Sequence, residues 1–322
     1  MENSCFRGKT LDDVMRQLIG ELLKNGTHVT ASRGDTLEFQ GILLEIENPR
    51  ARYSRTETKG KPFSGLGELC WYLAKNNDLD FIQYYLSGYK DEADGSVIKG
   101  GYGPRLFKWK RGNQVSLIIE TLRQRPTSRQ AVIQIFDAND LIKKNKSVPC
   151  TSTLQFLVRG GKLNMITSMR SNDAYIGLPH DVFCFTMLQE IIARSLSIEI
   201  GSYQHFVGSM HIYEKDVEKA KKFLEEGWQT TKMAMPPMPY GDPWLSIDKL
   251  LRAEKKIRLQ GSISKKEISQ VHPYWADIIR LLQVFRHSKE KDIDSIQDCR
   301  NLMSTEIYHS FIDKMIYSIK TQ

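Results

Sequence analysis

Residues 153–196 read TLQFLVRGGKLNMITSMRSNDAYIGLPHDVFCFTMLQEIIARSL, and their pattern alone marks three elements. Runs of strand-like residues lie on either side of Gly160-Gly161, a pair suited to joining two strands. From Asp181 to Leu196 apolar residues crowd together as they do in a buried helix of several turns. The next stretch, IEIGSYQHFVGSMHIY at 198–213, is extended again. Strand, strand, apolar helix and strand in succession point to an α/β or α+β domain.

Working outward, the spacing of Leu11, Val14, Leu18 and Leu22 predicts a helix over 10–25, ended by Gly26. DTLEFQGILLEI at 35–46 reads as a strand or hairpin, and FSGLGELCWYLAKN at 63–76 as an apolar helix. SRQAVIQIF at 128–136 contains a further strand. MAMPPMPYGDPW at 233–244 cannot continue a helix, and three helical patterns follow it. The expected division is therefore a catalytic domain over 1–232 and a helical C-terminal extension over 233–322. No internal repeat is evident.

Bulk properties narrow the function. The 322 residues carry an ordinary globular mixture, 40% hydrophobic and 26% charged. No apolar run is long enough to span a membrane. MENSCFRGKTLDD has no basic stretch followed by an apolar core, so a cytoplasmic location is expected. The five cysteines are scattered and never spaced as CxxC, which argues against a disulfide framework or structural zinc, and no metal is expected. The net charge of +8 suits an anionic ligand. Much of it lies in solvated-looking runs such as KKNK at 143–146, and no nucleic-acid reader motif accompanies it.

Within SVPCTSTLQF at 147–156, a thiol, Cys150, follows a proline just where a strand begins. Three later stretches bear on it: Met169-Arg170-Ser171-Asn172-Asp173, Gly177-Leu178-Pro179-His180-Asp181, and His211-Ile212-Tyr213. In order and interval these resemble the thymidylate synthase family, which includes the pyrimidine-nucleotide hydroxymethylases. That family reads Pro-Cys, Gln-Arg-Ser-x-Asp, Gly-Leu-Pro-Phe-Asn and His-x-Tyr. The resemblance runs more weakly through GELCWYL and GGYGPRL and covers roughly residues 10–225. It implies a mixed β-sheet that forms the interface of a homodimer, a pyrimidine nucleoside monophosphate as substrate, and 5,10-methylenetetrahydrofolate as one-carbon donor.

The implied chemistry explains the residue types. C5 of a pyrimidine is a poor nucleophile until a thiolate adds to C6, and sulfur leaves readily afterwards. Cys150 matches that nucleophile, and Arg170 beside it would favour the thiolate. By the resemblance, Glu68 moves protons at the pyrimidine, and Tyr102 assists proton removal at C5. As a bare residue on an apolar helix, Glu68 could equally face solvent. Arg170 and Ser171 match phosphate contacts. Arg129 matches the first of an Arg-Arg pair given by the partner subunit, with Gln130 in the second place. Arg33 in ASRGDTLE is a looser match to a mobile-loop arginine, or else a surface charge. Guanidinium suits all three because it binds phosphate bidentately and stays charged. Asp173 closes its motif as a further nucleotide-binding residue. His211 and Tyr213 alternate on a strand and match the pair that holds the ribose 3′-hydroxyl.

Asp181 departs from the synthases, which carry asparagine there to read uracil O4 and N3–H. The cytidylate hydroxymethylases of the family carry aspartate. A carboxyl accepts from the cytosine amino group and, when protonated, donates to N3. Its other reading is an N-cap for the apolar helix that follows. Thr151 replaces the usual histidine, the Trp-Asp-Glu-Trp stretch is missing from YLSGYKDEADG, and the closing tail is absent from SIKTQ. These departures favour water over hydride as the group that captures the new methylene. The leading expectation is a cytidylate (CMP or dCMP) 5-hydroxymethylase. The alternatives are a reductive methylase of dUMP or dCMP, and a nucleotide-binding homologue without turnover.

Overall fold

A computed structural model describes residues 4–31, 33–59, 62–110, 112–142 and 145–321. Lys143 and Lys144 of the basic run lie outside the described residues. The strands are β1 (Cys5–Gly8), β2 (Thr27–Ala31), β3 (Gly34–Ile46), β4 (Val132–Gln134), β5 (Thr151–Arg159), β6 (Lys162–Asp173) and β7 (Glu199–Tyr213). The helices are α1 (Leu11–Asn25), α2 (Pro62–Leu73), α3 (Leu79–Tyr85), α4 (Tyr102–Phe107), α5 (Gln114–Gln124), α6 (Asn139–Ile142), α7 (Gly177–Ser195) and α8 (Val217–Glu225). Five more follow the Pro/Met-rich connection: α9 (Trp244–Gln260), α10 (Lys265–Ile268), α11 (Pro273–Glu290), α12 (Ile293–Asn301) and α13 (His309–Lys320).

The strands form one mixed sheet in the order β1-β3-β7-β6-β5-β4, with β2 added to β3. β6 and β7 are parallel, joined through α7, while β5–β6 and β3–β7 are antiparallel. At the β5–β6 turn both Gly160 and Gly161 have positive φ, +57° and +73°, which glycine adopts without steric cost. The chain between 35 and 46 is one long strand, and its hairpin partner is β2, upstream. β2 escaped the sequence reading because its side chains are exposed or half-buried, leaving no apolar alternation to see.

α1 forms as its spacing predicts. Thr10 and Asp13 exchange hydrogen bonds at its start, a capping box that satisfies two donors of the first turn. α7 begins at Gly177, earlier than the apolar pattern suggests. The Asp173 carboxylate accepts from the backbone N–H of Tyr175 (2.7 Å) and Ile176 (2.9 Å), so the turn into the helix is closed four residues before its first turn would need Asp181. Asp181 is thus inside the helix and does not cap it.

One face of the sheet is buried, with Leu154, Phe156, Leu163, Met165, Tyr203 and Val207 under α7 and its neighbours. The other face carries Leu43, Leu157, Ile166 and Phe206 and is half-open in the single chain, Phe206 being 42% exposed. The buried cluster continues without a break into the C-terminal helices. Phe285 of α11 stacks on Tyr85, Phe311 of α13 meets the ring of Tyr53 edge-on, and Tyr85 donates to Glu254 of α9. No helix is long and apolar enough to cross a membrane among the described residues.

Candidate active site

The turn 147–150 enters the sheet at β5, and Arg170 on the neighbouring strand clamps it. The Arg170 backbone N–H donates to the Cys150 carbonyl (2.8 Å), Nε to Pro149 O (3.0 Å) and Nη2 to Val148 O (3.0 Å). The same Nη2 lies 3.6 Å from Cys150 Sγ. Cys150 opens into a cavity of about 860 Å³, within the range of small-ligand sites. Arg33, Glu68, Tyr102, Arg170, Ser171, Asp173, Asp181, His211 and Tyr213 line this cavity with it.

Arg170 does not win the electrostatic contest at the thiol. Burial pushes the Cys150 pKa up, nearby Glu92 pushes the same way, and Arg170 and Arg33 offset only part of this. Arg170 favours the thiolate as expected, but burial outweighs it and Cys150 favours the thiol.

Glu68, on α2, is buried and faces the cavity. Its Oε1 accepts from Tyr72 Oη (2.8 Å) and Tyr89 Oη (2.5 Å). Burial still carries its pKa above the ordinary carboxylate range, against the lowering effect of both hydroxyls. Tyr102 opens α4, beside the rings of Tyr72 and Phe185. Its Oη accepts from Thr151 N (3.2 Å) and Thr151 Oγ1 (3.0 Å), so the threonine after the nucleophile positions the phenol.

Asp181 is half-buried on α7, and its Oδ2 accepts from Asn172 Nδ2 at 3.1 Å. Burial first, then the charge of Glu68, holds its pKa well above the usual carboxylate range, so the neutral acid is the favoured form. His211 and Tyr213 project from β7 with their rings edge to face, centroids 5.0 Å apart. Asp173 serves as the turn acceptor described above as well as lining the cavity.

Arg33 stands at the rim, exposed, with Nη1 2.8 Å from Glu92 Oε1; Glu92 Oε2 in turn accepts from Ser147 Oγ (3.2 Å). Arg129 is not brought to the cavity. It is exposed beside β4, where its carbonyl accepts from Gln155 Nε2. Glu92, Asn172 and Tyr89 also line the cavity and were not singled out from the sequence. Asn172 stood as the variable position inside a motif already quoted. Glu92 and Tyr89 belong to a short 3-10 turn, Ser87–Glu92, within the YLSGYKDEADG stretch. No cluster of metal-ligating side chains exists among the described residues.

A mixed sheet thus brings a cysteine at the foot of a strand, an arginine against it and a buried carboxyl group to one cavity. The family model for thymidylate synthase matches residues 15–242, and the chain belongs to that family. It is 30% identical over 231 residues to a deoxyuridylate hydroxymethyltransferase of Bacillus phage SP01, an alignment spanning 66% of this chain and 59% of that one. It is also 30% identical over 232 residues to a protein of Methanocaldococcus jannaschii named for the same family, covering 69% of this chain and 96% of that one. A thymidylate synthase of Listeria monocytogenes is 30% identical over 128 residues, 38% of this chain and 40% of its own. The chain spans about 59% of the phage relative's length and 40% of the Listeria relative's; members of the family transfer a one-carbon unit from methylenetetrahydrofolate to a pyrimidine nucleotide. Trp71, Leu86, Ile98 and Ile176 add apolar surface to the cavity lining, which suits a pteridine ring.

Proposed function

We propose that the chain is a cytidylate 5-hydroxymethylase acting on CMP or dCMP. The observation that carries the reading is Asp181, a half-buried carboxyl in the wall that holds Cys150, with no helix end to cap and its neutral form favoured. A carboxylic acid offers one donor and one acceptor side by side, the complement of cytosine N3 and its amino group.

In this reading Arg33, Arg170 and Ser171 hold the phosphate, with Arg129 supplied by the partner in a homodimer. Asp173, His211 and Tyr213 hold the sugar side. Cys150 Sγ bonds to C6, and the displaced π electrons make C5 nucleophilic. Methylenetetrahydrofolate supplies the one-carbon unit. Tyr102 assists removal of the C5 proton toward solvent as tetrahydrofolate leaves, Glu68 manages protons at the base, and water adds to the resulting exocyclic methylene as the C6–S bond breaks. The free cysteines fit a cytoplasmic setting.

Tritium release from C5 of labelled CMP or dCMP, with a Cys150→Ala control, tests the reading. Release that depends on Cys150 supports it; no release above the control contradicts turnover. A second reading, hydroxymethylation of a uridylate, is favoured by the name of the phage relative. Reductive methylation is favoured by the Listeria relative's name.

A further inference from the structure

Behind Asp181 lies a chain of buried polar side chains that the reaction itself does not use. Asn172 Nδ2 is 3.1 Å from Asp181 Oδ2 and 3.0 Å from His205 Nε2. His205 Nδ1 is 2.7 Å from Tyr203 Oη, and Tyr203 Oη donates to Thr167 Oγ1 at 3.1 Å. Thr167, Tyr203 and His205 are fully buried, and Asn172 nearly so. β6 supplies Thr167 and Asn172, and β7 supplies Tyr203 and His205. An imidazole sealed under the sheet is costly unless both ring nitrogens are satisfied, and here both are.

With the Asn172 amide nitrogen turned toward Asp181 and His205, the hydrogen bonds run in one direction. An amide nitrogen brings two protons and no lone pair to share. Asn172 spends those two on Asp181 Oδ2 and His205 Nε2; Met169 Sδ, at 3.1 Å, is the weaker third neighbour. His205 Nε2 is then the acceptor, so its proton sits on Nδ1 and is donated to Tyr203, whose own proton goes to Thr167. Burial agrees, lowering the His205 pKa to about 3 and keeping the ring neutral. At the far end, Asp181 Oδ2 is committed as an acceptor, and a proton on this carboxyl must reside on Oδ1.

We propose that Tyr203, His205 and Asn172 form a positioning relay that fixes the direction of Asp181's hydrogen bonds and thereby selects cytosine over uracil. The proposal rests on the reading of Asp181 as the base-reading residue. A free carboxylic acid matches either base, because its proton can sit on either oxygen. With Oδ1–H donating to N3 and Oδ2 accepting from the amino group, it matches cytosine. Uracil needs the reverse, a proton on Oδ2 for O4 and an acceptor at Oδ1 for N3–H. The Asn172 N–H aimed at Oδ2 forbids that arrangement. Asp181 therefore supplies affinity, and the three residues behind it supply discrimination.

The test is the ratio of kcat/KM for cytidylate over uridylate, for ribo- and deoxyribonucleotides, in the wild type and in Asp181→Asn, His205→Phe and Tyr203→Phe. His205→Phe removes the acceptor that holds the Asn172 amide, so the amide can present its carbonyl to Asp181. The ratio is expected to fall about tenfold, with the uridylate value itself rising. Tyr203→Phe should move it the same way by less. A purely structural role would lower both substrates alike, so an unchanged ratio in His205→Phe overturns the relay while leaving the Asp181 reading intact. A wild type without preference for cytidylate, or a ratio unmoved by Asp181→Asn, overturns the parent reading and the relay with it. Should His205→Phe fail to fold, nitrogen-15 NMR of histidine-labelled wild type decides: a proton on Nδ1 with an unprotonated, hydrogen-bonded Nε2 supports the relay, and a proton on Nε2 overturns it.

Discussion

At the scale of single residues, two side chains carry most of the argument. Cys150 was legible as a candidate nucleophile only through the company it keeps; its protonation was not, because its burial was invisible until the chain was folded. Alkylation by iodoacetamide should show a midpoint above that of an ordinary cysteine, since the raised pKa leaves less thiolate at any pH below it. Arg170→Ala should move the midpoint higher still. A midpoint at or below the usual range would contradict the balance of burial over arginine. Cys150→Ser should nearly abolish turnover while nucleotide binding, followed by calorimetry, survives. For Asp181 the sequence left base reader and helix cap open, and the position of the α7 start removes the cap. Asp181→Asn is expected to shift preference toward uracil nucleotides by about 10- to 100-fold, the cost of mispairing one or two buried polar groups.

At the scale of elements, the long periodic segments were legible and the short or exposed ones were not. α1 and the β5–β6 hairpin announce themselves through apolar spacing and a glycine pair. β2 has no buried face, and the turn Ser87–Glu92 has no periodicity, so neither could be read. α2 holds a sharper test of packing. A Cβ at Gly67 would come within 2.1 Å of the Tyr85 ring, which is itself buried and tied to Glu254. Alanine normally favours a helix over glycine by about 1 kcal/mol. Overpacking against a buried ring costs about 1–3 kcal/mol, so the clash should win. Gly67→Ala is expected to lower the thermal midpoint; a rise would show that α2 and α3 can separate freely. β7 offers a test in pH. The folded pKa of His205 is depressed to about 3, so between the ordinary histidine value and about 3 the unfolded chain binds the extra proton. Stability from this group is present above the ordinary value and lost as pH falls. His205→Phe should flatten that acid limb in denaturant titrations.

At the scale of the whole molecule, the helices after residue 243 share the core of the catalytic part rather than hanging from it. A chain cut at residue 232 would expose the aromatic surface of Tyr53, Phe63 and Tyr85 that Phe311 and Phe285 cover, and it should fail to give a cooperative unfolding transition. The half-open sheet face and the position of Arg129 away from the cavity both fit a dimer with shared sites. Mixing Cys150→Ala and Arg129→Ala subunits should restore activity in the heterodimers, and confirmed exchange without rescue would argue for sites built from one chain. The central claim is the reaction itself. Its most direct measurement is the mass of the product formed from CMP, dCMP, UMP and dUMP with methylenetetrahydrofolate, compared across wild type and Cys150→Ala. The account predicts a cytidylate that has gained CH2O in the wild type and nothing in the variant. A methylated product, or modification confined to the uridylates, would contradict it.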